Sequence, residues 1–377
     1  MCIKKKKSIS FLLGAGFSKQ AGYYIADELS NKILCCEKEG LYMDSSGSVC
    51  NIAGNIVAKN PYFDFLMRLQ KVYHTCHNNF NYEAFYDFIK SEHSENCCFL
   101  KELSNAVGIK GGETSISNTF EQIDDIYNQI VAYYLNKEPN ITKYSNFKIV
   151  VSSLETDYVV NVHTLNHDLL FEKLFWGEYS DGFSYDMTFN YCEQPIRILK
   201  YNGEYHCKNK IALYKLHGSI DYYTMHNVHS ETNVIKNANT PDYIKIPDNI
   251  NRSCLKGENG EFINNLYPAF LTGINFKRTR YKENFYNDLH SKFISNLASA
   301  DKLIIIGYSG NDEGINKHIR KKLDKKASCF VIDKDQNEAQ NVIGRIWSCR
   351  KKKNCYAVKN ILDNVEKSDF EETTYRN

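Results

Sequence analysis

Gly14-Ala15-Gly16 closes the apolar run Ile9–Leu13, and a hydroxyl, Ser18, follows two residues later. Glycines between a buried strand and a helix let backbone N–H groups approach a phosphate, with the positive end of the helix behind them. Ser18 can donate to that phosphate or cap the helix. The turn lacks the third glycine of the longer dinucleotide fingerprint, so its meaning depends on what else reaches the same place.

Four further stretches carry candidate groups. In HTLNHD, Asn166 follows an apolar run and precedes a helical pattern; its carboxamide can grip a ribose hydroxyl, position a water or cap the helix. Asp168 can fix this neighbour or cap the same helix. His163 and His167 are given no chemistry. In KLHGS, His217 stands at a strand end before Gly218 and Ser219. It is either a structural residue or, since a neutral imidazole near pH 7 suits proton abstraction from a sugar hydroxyl, a general base. In GYSGND, Gly307 permits close approach, Ser309 can meet a phosphate or ribose, and Asp312 falls in the first turn of a helix. Asp333, closing CFVID, can accept from a ribose or adenine group, or stand as a solvated loop acid.

The elements that position these groups alternate short apolar runs with amphipathic stretches, the pattern of an α/β domain. Strands are expected at Ile9–Leu13, Tyr158–Val162, across IALYKLHGSIDYY up to His217, before Gly307 and in SCFVIDKD. Helices are expected over Ser18–Cys36, with Ile25, Leu29 and Ile33 four apart, and from Asp168 to Phe175. Residues 37–60 and 224–265 read as polar, irregular segments, 60–155 as a mostly helical insert, and 341–377 as a tail with a terminal strand and helix. The whole chain, 1–377, reads as one catalytic domain with its core in 8–36 and 156–340. In an open parallel sheet ligands bind at the carboxyl ends of the strands, so all five turns would face one crevice.

Composition narrows the class. Of 377 residues, 42% are hydrophobic and 24% charged, which fits a globular protein. A net charge of +2 gives no global case for binding nucleic acid, and the runs Lys4–Lys7 and Arg350–Lys353 read as solvated faces. Thirteen cysteines form no C-x-x-C pair, so they predict neither a zinc site nor a disulfide framework but reduced thiols in a cytoplasm. No apolar stretch is long enough for a membrane span, and Ile9–Ala15 is too short for a secretory signal.

Taken in order, GAGFSKQAG, TLNHDLLFE, KLHGS and ADKLIIIGYSGNDEGIN resemble the sirtuin-like (silent information regulator) family, and most closely its bacterial branch that hydrolyses NAD in anti-phage defence. The resemblance implies a Rossmann-like parallel sheet with helices on both faces and a helical insert, with NAD as substrate and no metal. It puts Gly14, Ala15, Gly16 and Ser18 at the pyrophosphate, makes Asn166 the ribose and water asparagine, Asp168 the acid beside it and His217 the catalytic histidine, and puts Gly307, Ser309 and Asp312 on the adenosine side. It implies a homo-oligomer, triggered by assembly or by a partner: a HerA-like DNA-translocating ATPase, or alternatively a short Argonaute. Two departures stand out. The four-cysteine zinc module of the family's protein deacetylases is missing, which weighs against acetyl-lysine as substrate, and position 167 is His where the defence branch usually has an aromatic residue such as Tyr. Besides hydrolysis, a deacylase and a module that senses NAD or ADP-ribose without turnover are the competing readings.

Overall fold

Ile9 to Leu13 are buried at consecutive positions, so the first strand is covered on both faces rather than lying half in solvent. It forms the middle of a parallel sheet of seven strands: β1 (Lys7–Leu13), β2 (Tyr158–Thr164), β3 (Tyr179–Ser180), β4 (Ile211–Lys215), β5 (Lys302–Ile306), β6 (Ser328–Asp333) and β7 (Cys355–Lys359). The order is β7-β6-β5-β1-β2-β4-β3. The chain runs outward from β1 through β2 and β4, then returns to lay β5 against the other side of β1. That reversal makes a Rossmann-like, doubly wound α/β fold with its switch point between β1 and β5.

The computed structural model describes residues 6–59, 62–91, 113–205, 211–225, 241–246, 250, 255–257, 266–274, 277, 280–347, 354–360 and 362–370. Two compact units divide the chain: Met1–Tyr23 with Glu138–Ala269 and Glu283–Asn377, and Tyr24–Lys137 with Phe270–Lys282.

In the first unit, side-chain alternation assigns the faces of the parallel sheet. Ile9, Phe11, Leu13, Val160, Val162, Leu213, Ile304 and Phe330 share one cluster with Phe147, Val150 and Val151 of the helix Ser145–Leu154. Phe147 meets the rings of Phe11 and Phe17 edge-on at 6.2 and 5.2 Å. On the opposite face, His163 stacks on Tyr214 and meets Phe293 of the helix Asn284–Ser299. Burying each such aromatic contributes about 1.5–3 kcal/mol.

The same unit holds an antiparallel sheet of six strands, in the order Leu255–Lys256, Phe183–Tyr191, Gln194–Tyr201, Asp242–Lys245, Gly218–Met225 and Leu266–Phe270. This corrects the expectation of an irregular 224–265: its described residues carry strands, while 226–240, 247–249, 251–254 and 258–265 lie outside the description. The run through IALYKLHGSIDYY is likewise two strands rather than one ending at His217. β4 stops at Lys215, and the chain enters the second sheet at Gly218, whose φ of 76° breaks the extended path.

The expected helix over Ser18–Cys36 is also two pieces, Ala15–Lys19 and Ala26–Leu34. Gly22, at φ 95°, takes a left-handed conformation that ends the first. After β7 the described part of the tail has two short 3-10 turns, Leu362–Asn364 and Lys367–Phe370; residues 371–377 and the basic run Arg350–Lys353 lie outside the described residues.

In the second unit, Tyr42–Met43, Ser48–Cys50 and Ile56–Lys59 form a three-stranded antiparallel sheet where the sequence suggests a loop or small insertion. Asp44 organises its first turn by accepting from the backbone N–H groups of Ser46 and Ser48. The helices Phe63–His77, Tyr82–Ser91 and Glu113–Leu135 follow, with Tyr73 meeting the rings of Phe80 and Phe85, and Phe85 that of Tyr127.

Candidate active site

The register of the parallel sheet lines up its carboxyl edge. Leu13 pairs with Ile306 on one side and Thr164 on the other; Thr164 pairs with Lys215, and Ile306 with Ile332. The residues that follow, Gly14, Leu165, Leu216, Gly307 and Asp333, therefore leave the sheet along a single row. Backbone bonds extend the ladder past the strands: Gly14 N donates to Ile306 O at 3.0 Å, Leu165 N to Leu13 O at 3.0 Å and Leu216 N to Thr164 O at 2.9 Å.

The glycines at the switch point serve each other. Gly16 N donates to Gly307 O at 2.9 Å. A Cβ on Gly14 would come within 2.6 Å of Gly307 O, and one on Gly307 within 2.0 Å of Phe17 N. Gly307 also has φ 65°, which L side chains rarely adopt. The glycine pattern thus records two turns interlocked backbone to backbone. Ala15 and Gly16 are exposed at the tip of the first turn. The helix behind it has only five residues, so little of the expected helix-end potential is present there.

Ser18, 2% exposed, lies beneath that turn. Its hydroxyl accepts from Asn166 Nδ2 at 2.9 Å and donates to the Asp168 carboxylate. Asn166 Nδ2 also donates to Gly14 O at 2.9 Å. Both amide hydrogens are thereby committed, and the carboxamide oxygen, an acceptor, is the part of the group left for a ligand. Asp168 Oδ1 accepts from Leu170 N at 3.0 Å. Burial pushes its carboxyl up, opposed by Lys215, by the Leu170 N–H and by Ser18.

Lys215 went unremarked in the sequence because a lysine within an apolar strand has no pattern of its own. Its side chain is 0% exposed, and its ammonium donates to Asp168 O and, at 2.7 Å, to Glu172 Oε1. Burial pushes the Glu172 carboxyl up, against the pull of Lys215 and Lys245. Lys245 bridges Asp181 at 2.8 Å and Asp221 at 3.3 Å; burial works to lower its pKa, and these carboxylates raise it well above the usual lysine value. This buried chain of charges supports the Asn166–Asp168 loop from below.

His217 occupies the two-residue step between the sheets. Ile220 N donates to His167 O at 3.1 Å, tying the strand after His217 to the Asn166 loop, and the His167 and His217 rings lie 6.2 Å apart. His217 Nε2 is 3.5 Å from Asp312 Oδ2. Asp312 is the N-cap of the helix Glu313–Lys322, its Oδ1 accepting from Ile315 N at 3.1 Å.

The remaining candidates stand apart from this group. Ser309 is exposed, and its carbonyl accepts from Arg345 Nη1 at 2.8 Å. Asp333 Oδ1 accepts from Asp335 N at 2.9 Å, an Asx turn at the end of β6. Both leave the same edge of the sheet as the others, but no described contact joins them to Asn166 or His217. Among the described residues no group of three or more His, Cys, Asp or Glu side chains is arranged to hold a metal ion, and no helix is long and apolar enough to cross a membrane.

Comparison with known proteins adds three findings. A family model described as a SIR2-like domain matches residues 160–348, half of the chain. Among solved structures, one reporting the mechanism and regulation of Sir2 enzymes aligns at 12% identity over 98% of this chain and 93% of that one, with a TM-score of 0.37. A Sir2 homolog–NAD complex aligns at 11% identity over 97% and 89%, with a TM-score of 0.41. Both overlaps are broad but loose. No curated protein matches the chain.

Proposed function

The chain belongs to the SIR2-like domain family, and on that premise we propose that it cleaves the nicotinamide–ribose bond of NAD with water, releasing nicotinamide and ADP-ribose. The observation that carries this reading is the fixed orientation of Asn166: with Nδ2 held by Gly14 and Ser18, its oxygen offers an acceptor on the sheet edge from which His217 also departs.

The dinucleotide would lie across the switch point, its pyrophosphate against exposed Ala15 and Gly16 and its adenosine toward Ser309 and Asp333. The scissile bond joins a sugar carbon to a cationic leaving group. As it breaks, its electron pair goes to the nicotinamide nitrogen and positive charge develops on the ribose ring. His217 takes a proton from a ribose hydroxyl, so that the oxygen opposes that charge. Asn166 Oδ1 orients a water, which adds to the sugar carbon and passes a proton back to the ribose oxygen, while the proton held by His217 leaves to solvent, so that NAD and water give nicotinamide, ADP-ribose and one proton. Asp168 acts through Ser18, holding Asn166 in place. His167 would stack beside the ligand in the place of the aromatic residue usual in the defence branch.

In the cell, such an activity depletes NAD, which matches the anti-phage role the motifs imply. It would be held low until self-assembly or a partner, a HerA-like ATPase or a short Argonaute, releases it.

The test is NAD loss and nicotinamide release by the purified protein, alone and with the product of the neighbouring gene, beside Asn166→Ala and His217→Ala. Turnover that both substitutions abolish supports the reading. Tight NAD binding without turnover under every condition would replace it with a sensor, and O-acetyl-ADP-ribose formed from an acetyl-peptide would replace it with a deacylase.

A further inference from the structure

We propose that Asp312 is the positioning residue of His217, turning a buried imidazole into a usable base; this rests on the hydrolase reading for its purpose but not for its physics. His217 is 5% exposed and Asp312 25%, with Nε2 and Oδ2 3.5 Å apart. The carboxylate has little freedom to turn away. Its other oxygen caps the helix Glu313–Lys322 through Ile315 N at 3.1 Å. Its backbone oxygen lies 3.0 Å from the Tyr308 hydroxyl, which sits 2.8 Å from Asn316 Oδ1, while Asn316 Nδ2 donates to Gly310 O at 2.7 Å. The family resemblance implies an adenosine-side role for Asp312; its Oδ2 stands 3.5 Å from His217 Nε2.

The need for such a partner is visible in the neighbouring imidazoles. His290 and His163, on the same side of the sheet and buried, are both pushed down to about 3, His290 by burial and then by the proximity of His217 and His318, and His163 by burial and then by His290. Burial also lowers His318. The titratable groups near His217 include His167, with its ring 6.2 Å away, His290, which bonds the backbone of Leu216, His318 beside His290, and Asp312, a carboxylate. A buried imidazole with no anion beside it is a poor acceptor of a proton. A carboxylate at 3.5 Å favours the imidazolium and restores that capacity.

Asp312→Asn isolates the charge, because asparagine caps helices as well as aspartate does; Asp312→Ser is the second neutral cap should the first fold poorly. The primary readout needs no turnover: the pH titration of the His217 imidazole by NMR in protein carrying ¹³C-labelled histidine, with the resonance assigned by its loss in His217→Asn. We expect the His217 midpoint to fall by about one pH unit or more in either variant, and, if NAD is cleaved, the acid limb of kcat to move with it while NAD binding is kept. A midpoint unchanged by loss of the charge overturns the proposal, whether or not the protein turns over NAD. A shifted midpoint in a protein that never cleaves NAD keeps the pair and overturns the hydrolase.

Discussion

Asn166 and Asp168 are joined through one hydroxyl: Ser18 Oγ accepts from Asn166 Nδ2 at 2.9 Å and donates to the Asp168 carboxylate. A serine has one proton to give, so this arrangement fixes the direction of both bonds. Ser18→Ala removes the donor to Asp168 and one of the two anchors of Asn166. Under the proposed hydrolysis, NAD turnover is expected to fall about 100-fold, as for a misplacement of a positioned group by about 1 Å, with little change in circular dichroism. Full activity in this variant would separate Asn166 from the support described here.

Gly307→Ala is expected to damage the same site from the other side of the switch point. The left-handed conformation alone costs about 1–2 kcal/mol with a side chain. The new methyl would also stand 2.0 Å from Phe17 N and 2.4 Å from Gly16 C, backbone atoms that have no rotamer to escape into. Thermal unfolding should register a lowered midpoint, and NAD binding should weaken together with it. A variant as stable as the parent would mean that the two turns can part freely.

The buried lysine makes a sharper contrast. Lys215→Ala leaves Glu172 and the Asp168 carbonyl facing an uncharged gap, a loss expected at about 3–5 kcal/mol. Replacing the pair together, Lys215→Met with Glu172→Leu, exchanges two buried charges for packed apolar atoms and should lose much less. Urea denaturation of the single and double variants measures the difference directly. Equal losses would argue that shape rather than charge is what Lys215 supplies.

Acid sensitivity follows from His163 and His290, whose folded-state values lie near 3 against an ordinary 6.5. Above pH 6.5 neither binds a proton in either state. As the pH falls below 6.5 the unfolded chain takes up protons that the folded protein refuses, so stability is lost from there down toward pH 3. The slope is up to about 1.4 kcal/mol per pH unit for each histidine. Denaturation midpoints at pH 7.5, 6.5 and 5.5 should decline over the last interval, and His163→Phe, which keeps a ring against Tyr214, should decline less steeply. Parallel curves for the two proteins would exclude His163 as a source of the effect.

The carboxyl edge of the sheet was legible because each turn announces itself: a short apolar run, then a glycine or a polar group. The second sheet was not. Its principal hairpin turns at Cys192–Glu193, both at positive φ (49° and 64°), where glycine or asparagine would normally advertise the reversal. Its strand Gln194–Tyr201 is largely half-exposed and gives no apolar run. The break in the first helix was hidden because the helical spacing of Ile25, Leu29 and Ile33 lies wholly after Gly22 and carries no information about the stretch before it. Asn166 and His217 could be singled out by type and place. That Ser18 serves Asn166, or that Asp312 faces His217, depends on which loops the sheet order makes neighbours, and spacing along the chain carries none of that.

β1 leaves the ribosome ahead of both strands it pairs with, β2 at Tyr158–Thr164 and β5 at Lys302–Ile306. Its second neighbour is synthesised only after β2, β3 and β4, and pairings so distant in sequence are slow to form. Until then the first strand must wait, apolar and half-paired. Because the glycine turns interlock across that last-made pair, the crevice is among the final features to be completed. A nascent chain that stops short of β5 would carry Gly14, Ser18, Asn166 and His217 and still lack the crevice.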